Sequence, residues 1–460
     1  MADSNFRGRD VYLVDGTRTP FLKARGRPGP FSASDLAVGA GRPLLARMPF
    51  EPSELDEVIL GCCMPREDEA NIARVVSLRL GCGDKVPAYT VHRNCGSGLQ
   101  SLDEAVYHIR TGRSDLVLAG GTESMSHAPL VFNDQMVNWL ADWNMSKTFM
   151  QKLKVAARFR PGFVAPIIGL LKGLSDPVVG LSMGQTAEIL AHRFGISREQ
   201  MDEFAVRSHH RLAEAAESGW LDEIEPLYDS KGKVYKHDDG VRPDSSMEQL
   251  AKLKPAFDRK FGKVTAGNSA QITDGASVLI VASEEAVKRH DLPVMARLVD
   301  VNWAGLDPAQ MGLGPVHAST GLLRANNMKR EDVDYWEINE AFATQVLACL
   351  AAWEDKDYCK NELGLSKAFG RIDDDRLNVD GGGVSIGHPV GTSGARIVLH
   401  LIHVLQRKKA NRGVATMCIG GGQGGAALIE LADGVRGNSE TKTTGSAGES
   451  GESETEREEA

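Results

Sequence analysis

The chain lacks an uncharged apolar run approaching about 18 residues, so no helix that crosses a bilayer is expected. It also lacks an excess of positive charge. Fifty-three Lys and Arg stand against 62 Asp and Glu, a formal net charge of −9, which argues against nucleic acid as a partner in bulk. Cysteine is sparse: seven residues, at 62, 63, 82, 95, 349, 359 and 418. None of their spacings suits zinc, and Cys62 and Cys63 are too close for joint tetrahedral ligation, so no metal site is expected. An odd, irregular set of this kind implies reduced thiols in a cytosol-like compartment. Residues Met1 to Asp10 show neither an apolar h-region nor an Arg-rich amphipathic pattern, so no export or transit signal is read there and a cytoplasmic location is expected. Neither triple-glycine run (381–383, 420–422) is followed by a lysine, which excludes a phosphate loop.

What is present is ordinary globular material. The chain has 460 residues, 42% hydrophobic and 25% charged, enough for two or more domains. Short β-branched runs read as strands at Val11–Val14, Val58–Leu60 and Leu116–Ala119, the last closed by Gly120-Gly121. Helical spacing predicts helices over 34–48, with Ser34 as N-cap, and over 71–80. Strands alternating with helices imply a mostly parallel sheet covered on both faces. The pattern then returns. Pro293 to Val301 reads as a strand and 318–327 as a helix; Glu54–Gly61 has a counterpart in Asp332–Asn339, and Leu116–Ala119 in Val414–Met417. A turn at Gly387-His388 before a helix at 392–407 matches the turn and helix that follow Cys95. We read a duplication, in which two halves packed about a pseudo-twofold axis bring Cys95 near positions 388 and 339.

The first half takes in 1–126 and, after an insertion at 127–251, 252–289, where Ser277–Val281 reads as a strand; the second half is 290–433. In the insertion, Ser197 with Gln200 forms a capping box and Ile196 with Met201 a staple for a helix reaching about Glu217. Residues 434–460 are Gly, Ser, Thr and Glu with almost nothing apolar, a tail expected to be disordered.

Four stretches carry chemistry. Val91–Gln100 contains Cys95 directly before Gly96-Ser97-Gly98, with Leu99, Leu102, Ala105, Val106 and Ile109 at helical spacing behind it. A thiol at that helix start would face free N–H groups and the positive end of the macrodipole, both favouring thiolate. The glycines would let the backbone bend and a substrate approach. Read alone, Cys95 is as readily a packed structural thiol. Glu337–Phe342 ends a buried strand with Asn339. Gly381–Gly391 presents His388 between Gly387 and Pro389, where it can activate a thiol. Cys418–Gly425 follows another strand. Singly, His388 reads as a capping or packed histidine, Cys418 as core, and Asn339 as a turn residue.

Together, Val91–Gln100, Asn339–Phe342, Gly387–Gly391 and Cys418–Gly422 resemble, in order and spacing, the signature blocks of the thiolases, over a stretch from about Asp10 to Leu431. The resemblance implies an α/β fold, five-layered αβαβα from two duplicated halves with an inserted loop domain. It implies a homodimer or dimer of dimers, coenzyme A thioesters as substrates and no tightly bound cofactor. It makes Cys95 the acylated nucleophile, His388 its base and Cys418 the proton donor and acceptor. His388 with a water held by Asn339 would serve one oxyanion, and the N–H groups of Cys95 and Gly420 the other. More loosely, Arg242 matches an arginine that packs on the adenine of coenzyme A, and Met183 and Met311 match methionines lining the acyl and pantetheine pocket. As bare sequence, Arg242 is equally a solvated arginine, and both methionines read better as core. Three positions depart from the family pattern: His92 where asparagine is common, Ser182 where short-chain biosynthetic members carry histidine, and Ala270 where a pantetheine-bonding serine is usual, with Ser269 a neighbouring substitute. They bear on chain length rather than reaction type.

A ketoacyl synthase would replace Cys418 by histidine and lack Asn-Glu-Ala-Phe, and a non-catalytic thiolase-like binding protein should have lost a block. Within thiolases, the expected reaction is degradation of 3-ketoacyl-CoA, with synthesis of acetoacetyl-CoA as the alternative. The insertion looks most like that of subunits in membrane-associated β-oxidation complexes, which implies a hydratase–dehydrogenase α-subunit as partner. Within 129–178, Met136, Trp139, Leu140, Trp143, Met150, Leu153 and Ala157 recur at helical spacing, and 147–172 carries six basic residues and no acidic one. A basic amphipathic segment of this kind is expected to touch an anionic membrane surface peripherally. Packing on a partner or within its own fold is the competing expectation.

Overall fold

A computed structural model of the chain describes residues 8–432, so the expected tail at 434–460 lies outside the described residues. The two halves fold alike, strand for strand. In the first, Val11–Arg18 pairs antiparallel with Thr273–Ser283, which pairs antiparallel with Leu116–Ser124. Glu57–Gly61 and then Ala88–Val91 follow in parallel. In the second, Ala296–Gly305 pairs antiparallel with Gln423–Leu431, which pairs antiparallel with Arg412–Ile419, and Tyr335–Ile338 follows in parallel. The fifth place is held by a single parallel bridge from Trp336 to Leu377. Even the irregularities repeat: the register slips between Leu13 and Asp15 in one half and between Leu298 and Asp300 in the other. Tyr12–Arg297 and Leu13–Ala296 join the two sets edge to edge, making one ten-stranded sheet with the short Leu22–Lys23.

Side chains alternate along each strand to opposite faces, and here both faces are covered. Val58 and Leu60 enter the cluster beneath helices Ala33–Ala46 and Ile72–Arg79, while Ile59 between them enters a central cluster. That central layer holds helices Ser97–Arg110 and Ser393–Lys408, flanked by strands of both halves through Leu102, Leu279, Leu399 and Ile429. Gly314–Ala325 and Ala343–Glu354 cover the far face over Trp336, Val414 and Leu428. The result is five layers: helix, sheet, helix, sheet, helix. Each fully buried aliphatic side chain in them contributes about 1.5–3 kcal/mol of burial.

The sheet is mostly antiparallel, not mostly parallel as expected, because the long strands Val11–Arg18, Thr273–Ser283, Ala296–Gly305 and Gln423–Leu431 pair antiparallel and only the outer strands follow in parallel; the other differences from the sequence reading are local. The first helix is capped by Ser32, not Ser34, in a capping box with Asp35; the Ser34 hydroxyl instead bonds Glu69 and accepts from Arg79. The strand at 116 runs on through Gly120-Gly121 to Ser124. A Cβ at Gly121 would lie 2.0 Å from the Gly391 carbonyl oxygen, so glycine here admits the second half rather than ending the strand. The capping box of Ser197 with Gln200 and the helix Arg198–Glu217 are as read, and Ile196 and Met201 are both buried.

The insertion divides in two. Helices Met183–Arg193 and Arg198–Glu217 bury Leu190, Met201 and Phe204 in the second half's outer cluster. Residues 130–178 instead form a projecting unit. Helices Asp134–Met145 and Phe149–Ala157 are closed by the paired strands Leu130–Val131 and Ile167–Ile168. Within it Trp139 stacks on Trp143 with ring centroids 5.5 Å apart, and its indole N–H donates to the Val155 carbonyl. No described helix is long and apolar enough to cross a membrane.

Candidate active site

The loops that follow the strands of the two halves converge on Cys95. Strand Ala88–Val91 leads into a turn whose left-handed residue is Asn94 (φ 44°), not a glycine. Asn94 is held from both sides: its carbonyl accepts from the Ser97 amide and hydroxyl, and its carboxamide donates to the Gly420 carbonyl oxygen at 2.8 Å. Gly96 and Gly98 adopt ordinary φ values. What demands glycine is proximity, because a Cβ at Gly96 would lie 2.6 Å from Ile419 and one at Gly98 2.9 Å from the Gly391 carbonyl oxygen. The small residues around the nucleophile therefore let the other half close over it.

The backbone N–H groups of Gly420 and of Cys95 itself favour the Cys95 thiolate. Burial outweighs them and pushes the thiol up, contrary to the thiolate expected from a helix start. A base is therefore needed. His388 is buried, and burial together with the positive charge of Arg396 lowers its pKa to about 4, so the ring is neutral near pH 7. Its backbone N–H donates to the Gln271 carbonyl. The Ser393 hydroxyl donates to the Pro389 carbonyl at 3.2 Å, and so accepts from His388 Nδ1 at 2.6 Å. That arrangement favours the tautomer with the proton on Nδ1 and the lone pair on Nε2. Asn339 Nδ2 lies 3.5 Å from each ring nitrogen, and its Oδ1 is buried with no partner among the described residues, a site that suits a bridging water. Cys418, fully buried at the end of its strand, has its thiol pushed well up by burial first and then by the Cys95 charge. It rests protonated.

A cavity of about 330 Å³ opens on Cys95 and Gly420. Its walls include Cys63, Asn94, Cys95, Met183, Val390 and Gly420, and its far side is the segment 172–177 of the insertion. Met183 belongs to the cavity, its sulfur 3.2 Å from where a Gly420 Cβ would stand. Met311 does not; it is buried in the second half's outer cluster. The hydroxyl of buried Ser269 donates to the Thr265 carbonyl at 2.6 Å, and Ser269 is absent from the walls of the cavity. Arg242 is exposed, its amide donating to His209; it lies two residues beyond Gly240, whose carbonyl is tied through Gln271 to the His388 backbone. His92 lines the cavity, and Ser182 caps the helix that begins at Met183.

Sequence reasoning passed over one residue that holds the loops together. Glu123 is fully buried, and its carboxylate accepts the N–H groups of Cys63 and Met64 (2.9 Å each) and of Gly391 (3.0 Å). It clamps a first-half loop to the loop that carries His388. An acidic residue directly after Gly120-Gly121-Thr122, at the end of an apolar strand, was the available signal.

A thiol, a neutral histidine, a second protonated thiol and paired N–H donors are what acyl transfer through a thioester requires. Residues 11–285 match the family "Thiolase, N-terminal domain" and residues 292–431 the family "Thiolase, C-terminal domain"; the chain belongs to the thiolases and is an acyltransferase. Among curated relatives it is 38% identical to the mitochondrial 3-ketoacyl-CoA thiolase of Rattus norvegicus, over 92% of this chain and 98% of that protein. It is 36% identical to the mitochondrial trifunctional enzyme subunit beta of Bos taurus, over 92% of this chain and 88% of that one. Among solved structures, the Bacillus anthracis acetyl-CoA acetyltransferase superposes with a TM-score of 0.79 at 37% identity, covering 92% of this chain and 99% of that one.

Proposed function

We propose that the enzyme cleaves 3-ketoacyl-CoA with coenzyme A, giving acetyl-CoA and a shortened acyl-CoA in fatty-acid β-oxidation. The observation that carries this reading is a cavity-lining Cys95 whose thiolate the Gly420 and Cys95 N–H groups favour, with a neutral His388 on a loop that Glu123 clamps to the Cys63 loop of the same cavity. His388 Nε2 takes the Cys95 proton and the sulfur attacks the 3-keto carbon. The bond between C2 and C3 breaks, its electron pair forming the enolate of acetyl-CoA. The protonated ring, with a water on Asn339, stabilises the enolate oxygen, and the Cys418 thiol delivers a proton to C2. The shortened acyl group stays on Cys95, its oxygen held by the two N–H donors. Cys418 as thiolate then takes the proton of an incoming coenzyme A thiol, whose sulfur displaces the acyl group and frees Cys95. Met183 lies along the acyl path, and Arg242 contributes at the outer, nucleotide end. Coenzyme A enters and leaves as substrate. Relatives named as a 3-ketoacyl-CoA thiolase and as a trifunctional enzyme subunit support degradation; condensation to acetoacetyl-CoA is the same chemistry reversed, supported by the acetyltransferase likeness. Thiolysis rates over a ladder of 3-ketoacyl chain lengths decide between them: turnover rising beyond acetoacetyl-CoA is expected, and turnover of acetoacetyl-CoA alone would reverse the reading.

The assembly we propose is a homodimer or dimer of dimers. Among the described residues the strand Ala88–Val91 ends the sheet with one edge unpaired, an invitation to pair with another copy. A hydratase–dehydrogenase α-subunit as further partner rests on the likeness to a trifunctional enzyme subunit. Light scattering of the purified chain, alone and with such a subunit, tests both. The location proposed is a reducing, cytosol-like compartment, with peripheral membrane contact through 129–178; all seven cysteines are free, which fits the first part. For the second, the projecting unit exposes Leu130, Phe132, Met145, Phe149, Met150 and Leu171, with Met145 at 77% and Phe149 at 79%. Lys147, Lys154 and Lys172 lie beside them, while Arg158 is partly spent on Asp142. Co-sedimentation with anionic vesicles that weakens with salt is expected; absence of binding at low salt would remove the membrane contact. Fractionation of the host cell tests the compartment.

A further inference from the structure

The proposed reaction leaves one pair of groups at the cavity unused: Cys63 and Glu123. Cys63 follows the strand Glu57–Gly61 and is half-buried, one wall of the same cavity that Cys95 opens on. Its sulfur donates to the Asn94 carbonyl oxygen at 2.9 Å and lies 3.4 Å from the Ser97 hydroxyl. The Asn94 carbonyl belongs to the peptide bond that leads into Cys95, so the Cys63 sulfur is one peptide group from the nucleophile's backbone. The charge of a Cys95 thiolate would be felt at Cys63. The Glu123 carboxylate stands on the other side, accepting from the Cys63 amide at 2.9 Å and from the Cys62 thiol at 3.5 Å, and its charge acts on the Cys63 thiol. Burial raises its carboxyl above the usual range, which makes it a stronger proton acceptor. Cys418, the second cysteine of the reaction, is fully buried at the end of its strand and is absent from the walls of this cavity.

We propose that Cys63 is a resolving thiol for Cys95, closing a reversible Cys63–Cys95 disulfide when a peroxide oxidises the nucleophile. The balance is simple. The Cys95 thiolate attacks hydrogen peroxide, the O–O bond breaks, and sulfenic acid and hydroxide form, a two-electron oxidation of sulfur. Cys63 gives its proton to Glu123 and its sulfur attacks the Cys95 sulfenic sulfur. The S–O bond breaks, and the departing hydroxide takes the proton from Glu123 and leaves as water. The carboxylate is regenerated, and a dithiol reductant returns both cysteines to thiols. Sulfinic acid, the irreversible product of a second peroxide, is thereby avoided.

The proposal rests on the reactivity of Cys95 that the proposed function also requires, so the test reads the two separately. Full-length protein is acylated with acetyl-CoA in one portion and treated with hydrogen peroxide in another, and both are mapped by non-reducing peptide mass spectrometry. A Cys63–Cys95 cross-linked peptide is expected in the oxidised portion. Cys63→Ser should instead accumulate sulfinate on Cys95. With each protein referred to its own untreated rate, dithiothreitol should restore about tenfold more activity to the wild type than to the variant. A Cys95–Cys418 disulfide, or equal recovery of wild type and variant, overturns the proposal. Acylated Cys95 that gives only sulfinate in the wild type overturns it while leaving the function standing. A Cys95 that neither acylates nor oxidises overturns both. The cross-link in the wild type is read directly, so a poorly folding variant does not remove the test.

Discussion

The two halves carry their special residues on matching loops but load them differently. After the strand Glu57–Gly61 the first half places Cys62 and Cys63; after its counterpart Tyr335–Ile338 the second places Asn339 and Glu340. The strand Leu116–Ser124 ends on the Glu123 clamp, and its counterpart Arg412–Ile419 ends on Cys418. Ahead of the paired central helices stand Cys95 on one side and His388 on the other. One half supplies a nucleophile and a carboxylate that clamps its neighbouring loop to the His388 loop; the other supplies a base, a polar anchor and a proton. Duplication gives the geometry twice, and the chemistry comes from breaking the symmetry at each loop.

The sharpest way to break that comparison is at the nucleophile. Cys95→Ala should lower both thiolysis and acetyl exchange by at least about 100-fold, measured as coenzyme A consumption and as label exchange between thioesters. The opposite loop should split the two activities. Cys418→Ala should lower carbon–carbon cleavage by about 100-fold or more while acetyl exchange survives better; equal losses would end the division of labour between the cysteines.

Two histidines of the second half sharpen the contrast through pH. Burial first, then Arg396, holds His388 at about 4, below its unfolded value. Its contribution to stability is present above the unfolded pKa and is lost as pH falls from about 6.5 toward 4. His400 goes the other way. Bridged to Glu223 at 3.0 Å and Asp380 at 3.2 Å, it is raised to about 10 even against burial. Its contribution is fully present below about 6.5 and fades as pH rises through 10. Urea midpoints across pH should therefore fall on the acid side less steeply in His388→Gln, and on the alkaline side less steeply in His400→Gln.

Smaller effects separate the core from the projecting unit. Leu399→Ala in the central layer should cost about 2–5 kcal/mol by urea unfolding. Phe149→Glu should change stability by no more than about 0.5 kcal/mol, because that ring is exposed, while abolishing the salt-sensitive vesicle binding.

The parts legible in the sequence were those where chemistry dictates residue type. Cys95, Asn339, His388, Cys418 and Gly420 stand out by spacing; the structure puts Cys95 and Gly420 on the cavity wall, Asn339 3.5 Å from the His388 ring, and Cys418 where it feels the Cys95 charge. Glu123 was not legible, because a lone acidic residue at a strand end looks like ordinary solvated punctuation. Only the approach of Gly391 from the other half shows it to be an enclosed clamp. The wall at 172–177 was hidden for a related reason: nothing local says which face of a long insertion will turn inward. The cap at Ser32 went to Ser34 by two residues, since two serines flank the same start and only tertiary partners decide which is free to cap.

The hydrogen bond from the Asn94 side chain to the Gly420 carbonyl has a consequence for how the enzyme fails. It is a latch between halves, and the donors that converge on the Cys95 sulfur come from both sides of it. An opening of the two halves by an ångström or two would dismantle the oxyanion site while leaving every helix and strand intact. Heat or mild denaturant should therefore extinguish turnover before circular dichroism changes, which makes catalysis a more sensitive gauge of this molecule's integrity than its secondary structure.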